Sequence, residues 1–333
     1  QKTAYEIMPS LVGSEMCIRD RDAAGSMYLT GRFQSSVDFN ASPTGTTTMT
    51  ADNTAGCNIQ SFVMKLDLFA EPYWAGQFGN DVSNSSCYVY PRSIAVDGNG
   101  NVYTTGTFNG GSVDFDPGAG VTNLVQTYVQ RQAAFVSKLN SSGELVWAYR
   151  IGSENVPGTL YDGGHLGEAK TYSVAADGAG NVYVGGTFWA STSFQHGAGV
   201  TTLNSSRSEQ SRPDTFILKL NSSGEQVWLR QIEAPTGNRV ITPLSVAVDG
   251  SGNVYSAGEV GGGSTIDFDP SEGVANLTVS TAGQNAGNDT WILKLDSAGN
   301  YVWAKAPECN GSSRSYTTLG NDRSLAVDGS GNV

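Results

Sequence analysis

Paired aspartates are the residues of this sequence whose type and spacing come closest to a chemical site. The motif D-F-D-P occurs at positions 114–117 and 267–270, a weaker copy, V-D-F-N, stands at 37–40, and S-F-Q-H takes the corresponding place at 193–196. Alternate carboxylates in a loop can converge on Ca²⁺, which binds through several oxygen ligands. The Ca²⁺ loop pattern also needs a third oxygen-bearing residue, a glycine and a distal glutamate, which do not follow here. The competing interpretation is a short strand with the phenylalanine inward, the aspartates outward and the proline at its end.

No other motif points to a catalytic or metal-binding site. The two histidines, His165 and His196, lie in non-equivalent places and do not form an H-E-x-x-H pattern. The sequence also has no G-x-S-x-G nucleophile motif. We therefore assign no catalytic, cofactor-binding or metal-binding residue. Carboxylate pairs for glycoside hydrolysis stay open, because a single sequence does not reveal which carboxylates meet in space.

Composition limits the kinds of partner. The chain has 333 residues, of which 42 are glycine and 15% are charged, and its formal net charge is −12. An acidic surface repels phosphate backbones, so the sequence argues against nucleic-acid binding. No apolar stretch reaches the ~18 residues that a membrane-spanning helix needs. The wealth of glycine, serine, threonine and asparagine favours an all-β protein over a helical one.

One supersecondary unit repeats along the chain. The motif D-G-x-G-N-V begins at Asp97, Asp177, Asp249 and Asp328, with a decayed copy at Asp22, so successive copies lie 75, 80, 72 and 79 residues apart. A K-L dipeptide and a tryptophan nine residues after its lysine follow each of the first four copies. Three landmarks that keep their order four times indicate a repeat protein. The lysines are Lys65, Lys138, Lys219 and Lys294, and the tryptophans are Trp74, Trp147, Trp228 and Trp303.

Each unit predicts four antiparallel strands. In the clearest copy they lie near 93–96, 102–108, 135–139 and 145–151, and turns with glycine and asparagine follow the first and the third. The third strand is apolar on both faces, which indicates that both are covered. We therefore predict an all-β fold, a β-propeller fragment of about four blades of four antiparallel strands, open at both ends. A linear solenoid is the alternative.

The repeated residues favour structural roles over chemical ones. The aspartate of D-G-x-G-N is interpreted as a turn former. The tryptophan fits packing between blades better than stacking on a sugar. The lysine fits a strand position, where it pairs with a carboxylate or extends to solvent, better than a ligand-binding role.

The motifs SIAVDGNGNVYTTGTF, SVDFDPGAG and AFVSKLNSSGELVWA resemble the SBBP-type β-propeller repeats of bacterial surface proteins. The resemblance covers positions 22–333, and NHL propeller repeats are the second choice because they share a motif close to D-G-x-G-N-V-Y. The chain departs from the shorter SBBP units through its long connections. The resemblance implies a secreted or cell-surface location and no known shared enzymatic activity.

Positions 1–21 share nothing with the rest of the chain. They resemble translated sequencing adapter, and they have neither the basic start nor the continuous apolar core of a signal peptide. We therefore expect them to be foreign to the native protein and to pack against nothing, which leaves the first copy without its opening strand. The propeller units are then 22–96, 97–176, 177–248 and 249–327, with a stub at 328–333.

The cysteines are Cys17, Cys57, Cys87 and Cys309, and they contain no C-x-x-C pair. A zinc site or a thioredoxin-like site is therefore not indicated. Cys57 lies in the second-to-third connection of the first unit, and Cys87 follows the fourth strand of that unit. Meander geometry brings both connections to one edge, so we predict a disulfide between them, with Cys309 as the odd thiol. The competing interpretation is three unrelated reduced thiols.

Connection lengths indicate where binding would occur. The second-to-third and fourth-to-first connections are long and leave the same edge of a meander, and long loops on a rigid scaffold commonly carry function. We expect a non-catalytic extracellular or cell-surface module that binds a surface glycan or a protein through this long-loop face, without a cofactor. The alternative is a propeller enzyme acting on a polysaccharide or a quinone-linked substrate.

Overall fold

The regular structure of the chain consists of β-strands alone in the part that the structure describes. The structure is a computed structural model, and the described part contains no helix that could cross a membrane. The predicted all-β class is therefore confirmed. The described residues are 18–22, 24–40, 46–51, 59–79, 88–109, 111–126, 131–152, 167–206, 212–235, 240–261, 264–279, 288–306 and 325–333.

The chain divides into two compact units, residues 1–155 with 178–180 and residues 156–177 with 181–333. In the first unit, two antiparallel meanders have the strand orders β1-β2-β5-β6 and β7-β8-β11-β12, and β3–β4 and β9–β10 are short hairpins. The strands are β1 (Ile18–Arg21), β2 (Met27–Phe33), β3 (Ser36–Asp38), β4 (Thr48–Thr50), β5 (Gln60–Leu66), β6 (Pro72–Phe78), β7 (Tyr88–Val96), β8 (Val102–Asn109), β9 (Gly111–Asp114), β10 (Asn123–Gln126), β11 (Ala133–Leu139) and β12 (Leu145–Ile151).

The second unit repeats this plan. Its meanders have the orders β13-β14-β17-β18 and β19-β20-β23-β24, and its hairpins are β15–β16 and β21–β22. The strands are β13 (Ala169–Ala176), β14 (Val182–Phe188), β15 (Ser191–His196), β16 (Gly199–Asn204), β17 (Asp214–Leu220), β18 (Gln226–Ile232), β19 (Ile241–Val248), β20 (Val254–Gly261), β21 (Thr265–Asp267), β22 (Asn276–Thr278), β23 (Asn288–Leu295) and β24 (Tyr301–Lys305). The number of blades and the open ends stay predictions.

The four strands predicted in the clearest copy are confirmed, but the first of them is longer than expected. Strand β7 begins at Tyr88, and its pairing with β8 shifts register between Pro91 and Ser93. The bulge at Arg92 lets the strand continue past a proline, which has no N–H to donate, because β7 lies at the edge of its meander.

The second-to-third connections were expected to be long loops, and this is wrong in its local structure. Each carries a two-stranded hairpin, for example β9–β10, in which Leu124 pairs with Val113. Alternate residues of β10 are exposed and buried, and this period of two is what a half-covered strand requires.

The opening strand of the first meander is also present, contrary to expectation. Ile18–Arg21 pairs antiparallel with β2, from Ile18 opposite Thr30 to Arg21 opposite Met27. The Asp20 carboxylate accepts a hydrogen bond of 3.0 Å from the backbone N–H of Val96. The expectation that positions 1–21 pack against nothing is thus wrong for the last four, because an unpaired strand edge pairs through main-chain groups with little regard to side chains. Their origin stays a prediction.

The central strands of the meanders are covered on both faces. Every residue of β8, β11, β14 and β17 is buried, which confirms the interpretation of the third strand as apolar on both sides. On strand two, Gly106, Gly186 and Gly258 lie opposite the rings of Phe135, Phe216 and Trp291 on strand three. The missing side chain at each glycine is what makes room for the ring.

Trp291 is an exception within this repeated core. Its side chain is fully buried, and its indole N–H has no hydrogen-bond partner among the described residues, whereas the equivalent Phe216 carries no polar group. We expect Trp291→Phe to raise the free energy of unfolding by about 1 kcal/mol, because it removes a desolvated donor that nothing satisfies. Urea unfolding followed by circular dichroism measures the change. The reverse control, Phe216→Trp, should lower stability, and a clear loss in Trp291→Phe would contradict the explanation.

Candidate functional site

An aspartate organises each D-G-x-G-N turn. Asp97 Oδ1 accepts hydrogen bonds from the backbone N–H groups of Asn99 and Asn101 at 2.9 and 3.0 Å. Its Oδ2 accepts from Asn101 Nδ2 at 2.8 Å and from the Tyr103 hydroxyl at 2.9 Å. The same four hydrogen bonds surround Asp249. The prediction that this aspartate forms the turn is therefore confirmed.

The tyrosine that reaches this aspartate also links one copy of the motif to the next. The Tyr103 hydroxyl lies 3.2 Å from the carbonyl oxygen of Gly180, in the following D-G-x-G-N turn. In the second unit, Tyr255 makes the same contact with Gly331 at 3.2 Å. Burial, the Asp177 carboxylate and a hydrogen bond to it raise the pKa of Tyr183 well above its ordinary value, so this hydroxyl stays protonated.

The repeated lysine lies over the ring of that tyrosine. Lys138 Nζ is 5.4 Å from the centroid of Tyr103, and burial lowers the pKa of Lys138 while Asp97 opposes the change. Lys65 lies over the Tyr28 ring and forms an ion pair of 3.7 Å with Asp22, as predicted for a lysine that meets a carboxylate. The equivalent distances are 5.2 Å for Lys219 over Tyr183 and 4.8 Å for Lys294 over Tyr255.

The repeated tryptophan packs against the third-to-fourth turn of the next copy. Trp74 Nε1 donates to the carbonyl oxygen of Ser141 at 3.0 Å, and Trp228 Nε1 donates to that of Ser297 at 3.1 Å. A side chain on Gly143 would lie 2.7 Å from the Trp74 ring, so the turn closes on the ring face. Packing between copies is therefore confirmed for these two tryptophans. The repeated aspartate, tyrosine, lysine and tryptophan are all engaged in holding the scaffold.

Acid should destabilise the protein through the turn aspartates. Burial would raise the pKa of Asp249, but hydrogen bonds from Asn253, Ser251 and Tyr255 outweigh burial and hold it below its usual value. A carboxyl whose folded pKa lies below its unfolded value of about 3.9 adds stability above that pH and loses it as the pH falls through the folded pKa. We expect the free energy of unfolding in urea to be level between about pH 7 and 5 and to fall below about pH 4. Asp249→Asn should show a shallower fall, and an unchanged slope would contradict this assignment.

The phenylalanine of the D-F-D-P motif points inward, as predicted. Phe115 and Phe268 are both 0% exposed. Phe115 lies between two meanders of the first unit, with ring centroids 5.5 Å from Phe78 and 4.7 Å from Phe135. The motif therefore seals the core beneath the hairpin.

The prediction for the aspartates of this motif is wrong at the first position. Asp114 is buried, and its Oδ1 accepts hydrogen bonds from the N–H groups of Asp116 and Thr122 at 2.9 and 2.8 Å. The carboxylate turns inward because the hairpin turn leaves these N–H groups without main-chain partners. The strand also ends at Asp114 and not at the proline. No group of three or more histidine, cysteine, aspartate or glutamate residues in the described part could hold a metal ion.

The hairpin of the second meander does not project from the long-loop edge. The backbone N–H of Gly79 donates to the carbonyl oxygen of Asp114 at 2.8 Å, and a side chain on Gly76 would lie 2.5 Å from Pro117. The hairpin therefore folds back along β6 and packs beside it. The expectation that the whole connection forms the long-loop face is therefore wrong for the hairpin. Its apolar side has to be covered, and β6 covers it.

The remaining predicted residues fall into two groups. His196 is part of β15, and its Nε2 lies 3.1 Å from the Thr201 hydroxyl across the hairpin. His165 lies outside the described residues, as do the four cysteines, so the disulfide between Cys57 and Cys87 stays a prediction.

The copies differ most clearly in chemistry at the start of the first strand, beside the long connections. In the first unit, the Arg32 guanidinium lies 4.2 Å from the centroid of the Tyr90 ring, and the Tyr88 ring lies 4.2 Å from the Tyr90 ring on β7. Gln132 Nε2 donates to the Tyr88 hydroxyl at 2.5 Å. We call Arg32, Tyr88, Tyr90 and Gln132 the aromatic–arginine surface, and all four are partly exposed.

The equivalent places in the second unit carry other residues. In β13, Lys170 takes the place of Tyr90 and lies 5.2 Å from the ring of Trp189, and in β19 the place belongs to Thr242. A position that changes from copy to copy while its neighbours repeat is not required by the shared scaffold. The change at this position is visible in the sequence, but it does not by itself indicate a site, because tyrosine and arginine suit ordinary strand positions as well.

One segment of the chain matches a known family model. The family model for the SBBP β-propeller repeat matches residues 74–111. This segment is similar to an SBBP repeat. It contains most of β6, all of β7 and β8, the Asp97 turn and two members of the aromatic–arginine surface, which confirms the resemblance inferred from the motifs.

No curated protein matches the chain. Among solved structures, a protein of unknown function from Bacteroides caccae is similar at 10% sequence identity, with a TM-score of 0.30, over 89% of this chain and 82% of that chain.

Proposed function

We propose that this SBBP-repeat chain is a non-catalytic module that binds a surface glycan or a protein outside the cell, and that the aromatic–arginine surface is its contact site in the first unit. The observation that carries the proposal is a division of labour among side chains. The polar and aromatic residues shared by the copies are engaged in scaffold contacts. Arg32 on β2 and Tyr88 and Tyr90 on β7 are not repeated at the equivalent places of the other copies.

The chemistry of this surface suits recognition more than catalysis. Tyrosine and arginine are the residues most enriched where binding energy concentrates, because they combine large contact area with hydrogen bonding. Arg32 lies over the Tyr90 ring and the Tyr88 ring contacts it, and these contacts hold the three side chains in place before a ligand arrives, which reduces the entropy that binding costs. Residues beside long connections are also those that a partner can approach.

A binding screen tests the proposal. The purified chain is applied to arrays of bacterial and host glycans and to immobilised surface proteins, and each positive is then titrated by calorimetry. We expect Tyr88→Ala and Arg32→Ala each to raise the dissociation constant of a true ligand at least tenfold, as the loss of a central contact residue does. Tyr73→Ala is the matched control, since Tyr73 is 66% exposed on β6 and lies outside the aromatic–arginine surface.

Two results would count against the proposal. Binding that survives both substitutions would place the contact elsewhere on the chain. Release of shorter sugars from a bound polysaccharide would favour the enzymatic alternative. Circular dichroism of each variant must match that of the parent, because Arg32 and Tyr88 also contact their neighbours.

A further inference from the structure

A second cation–aromatic pair lies at the start of a first strand in the second unit. Lys170 on β13 stands at the register position that Tyr90 holds on β7. Its Nζ lies 5.2 Å from the centroid of the Trp189 ring. Each unit therefore carries the same kind of contact at this place, a cation beside an aromatic ring, although the residues that form it differ.

The shared scaffold does not account for Trp189. The register of strands two and three identifies the corresponding residues of the other copies, which are Gln34, Asn109 and Gly261. Trp189 is partly exposed, so a large aromatic side chain stands at the surface where the other copies have a polar residue or none. Packing of the repeated core therefore does not explain its size.

Main-chain hydrogen bonds fix the position of Trp189 at the end of β14. Its N–H donates to the carbonyl oxygen of Glu168 at 2.9 Å, and its own carbonyl oxygen accepts from the Thr192 hydroxyl at 2.8 Å. The next residue, Ala190, has a φ of 55°, and its N–H donates to the Ser205 hydroxyl at 3.1 Å. The ring is thus presented from a fixed backbone, which reduces the entropy that binding would cost.

Tyr172 adds a hydroxyl group to this pair. The pairing of β13 with β14 shifts register at Tyr172, and its hydroxyl lies 3.5 Å from Oγ1 of Thr187, the residue that pairs with Lys170. Bulges of this kind commonly redirect a side chain beside a functional site. Lys170, Tyr172 and Trp189 are all partly exposed, and we call them the lysine–tryptophan surface.

The chemistry of this surface fits a sugar that carries a carboxylate. The Lys170 ammonium has three N–H donors, so it can bind a carboxylate while it stays beside the aromatic ring. The Trp189 ring offers a flat apolar area against which the apolar face of a sugar can pack. The Tyr172 hydroxyl can both donate to and accept from sugar hydroxyls.

Two observations favour a glycan over an acidic protein. The pair of Lys170 and Trp189 shares no residue type with the pair in the first unit, and a polymer that repeats one sugar requires only the chemistry that the pairs have in common. In the first unit, Ile59 already pairs with Tyr88 at the edge of β7, which an extended peptide would otherwise use. The formal net charge of −12 disfavours densely charged polymers, so we expect a sugar with separate carboxylates.

We propose that the lysine–tryptophan surface is a second ligand site, and that it and the aromatic–arginine surface both bind a carboxylated glycan. The Lys170 ammonium donates to the sugar carboxylate, and Trp189 packs against the sugar ring. This inference rests on the proposed function, which it narrows from a glycan or a protein to an acidic glycan and extends from one site to two.

Equilibrium dialysis with labelled oligosaccharides tests the number of sites and the chemistry of the ligand. The probes are short oligosaccharides of polygalacturonate, alginate and hyaluronan, each compared with its methyl-esterified, neutral form. We expect at least one acidic probe to reach two bound molecules per chain at saturation. Esterification should raise its dissociation constant at least tenfold, because it removes the charge that the lysine and the arginine bind.

Substitutions separate the two sites. Lys170→Gln and Trp189→Ala should each lower saturation from two bound oligosaccharides per chain to one, and Arg32→Ala should do the same through the other site. The double variant Lys170→Gln, Arg32→Ala should bind none. Lys305→Gln is the matched control, because Lys305 is exposed on β24 outside both surfaces, and it should still bind two. Circular dichroism of each variant must match that of the parent.

The outcomes distinguish this inference from the proposed function. A single site that Arg32→Ala removes and Lys170→Gln leaves intact would overturn the second site alone. Binding of a neutral glycan or a protein that Arg32→Ala weakens, without binding of any acidic probe, would overturn the ligand class alone. If Arg32→Ala weakens no ligand at all, the proposed function fails as well. Equal losses in Lys305→Gln and Lys170→Gln would show that net charge, and not this surface, determines binding.

Discussion

Replacing Gly106 with alanine is expected to lower the free energy of unfolding by about 3 kcal/mol, the upper end of the range for overpacking a core. The added methyl group would overlap the carbonyl oxygen of Tyr90 and would lie 2.7 Å from Pro91 Cα and 2.9 Å from the Phe135 ring. Two of these neighbours are main-chain atoms of the adjoining strand, so relief requires β7 and β8 to separate. Urea unfolding followed by circular dichroism measures the effect.

The chain offers a matched control for this substitution. Gly98 lies in the turn between the same two strands, has no heavy atom within 4 Å of an added Cβ, and does not have a positive φ. Gly98→Ala should therefore leave stability almost unchanged. Equal losses in the two variants would show that unfolded-state entropy or a general intolerance of alanine, and not the close approach at Gly106, determines the result.

Replacing Asp249 with alanine should cost about as much, roughly 3 kcal/mol, because buried donors that lose their acceptor cost about 1–3 kcal/mol each. Asp249 is 7% exposed and accepts hydrogen bonds from the N–H groups of Ser251 and Asn253, the Asn253 amide and the Tyr255 hydroxyl. Loss of the carboxylate leaves these donors unpaired and frees Tyr255 from its position. The same unfolding measurement applies.

Asp328 supplies the comparison for Asp249. It makes the same hydrogen bonds within its turn to Ser330 and Asn332, but it is exposed, so water can replace the lost acceptor. Asp328→Ala should therefore have a distinctly smaller effect. An Asp249→Ala variant as stable as Asp328→Ala would mean that burial does not set the cost of these hydrogen bonds.

The parts of the fold that could be predicted are those fixed by local chemistry. The four strands of each meander follow from runs of β-branched and aromatic residues bounded by turns, and the turns follow from an aspartate whose carboxylate binds the N–H groups two and four residues later. The burial of Phe115 could also be predicted, since a single large apolar residue between aspartates has one stable place. The residue pattern of the strands and the chemistry of the turns are together sufficient to predict these features.

The parts that could not be predicted depend on partners far apart in the sequence. The hairpin β9–β10 is short, and its place is fixed by contacts of Phe78 with Phe115 and of Gly79 with Asp114, across from the preceding meander. The aromatic–arginine surface joins Arg32 to Tyr90, which lie 58 positions apart in a chain that gives no sign of their proximity. Strand β1 could not be predicted because main-chain pairing with β2 does not require a particular pattern of side chains.

The main-chain character of the contacts between copies has a consequence for how such chains evolve. The tryptophans and tyrosines that join neighbours bind carbonyl oxygens, those of Ser141, Gly180, Ser297 and Gly331, and every residue type has a carbonyl oxygen. A newly duplicated copy can therefore form the same hydrogen bonds with its neighbours before any substitution has occurred in it. Mutation can then change the edges of each copy while the contacts between copies stay intact, so an array of this kind can lengthen by duplication and keep its fold.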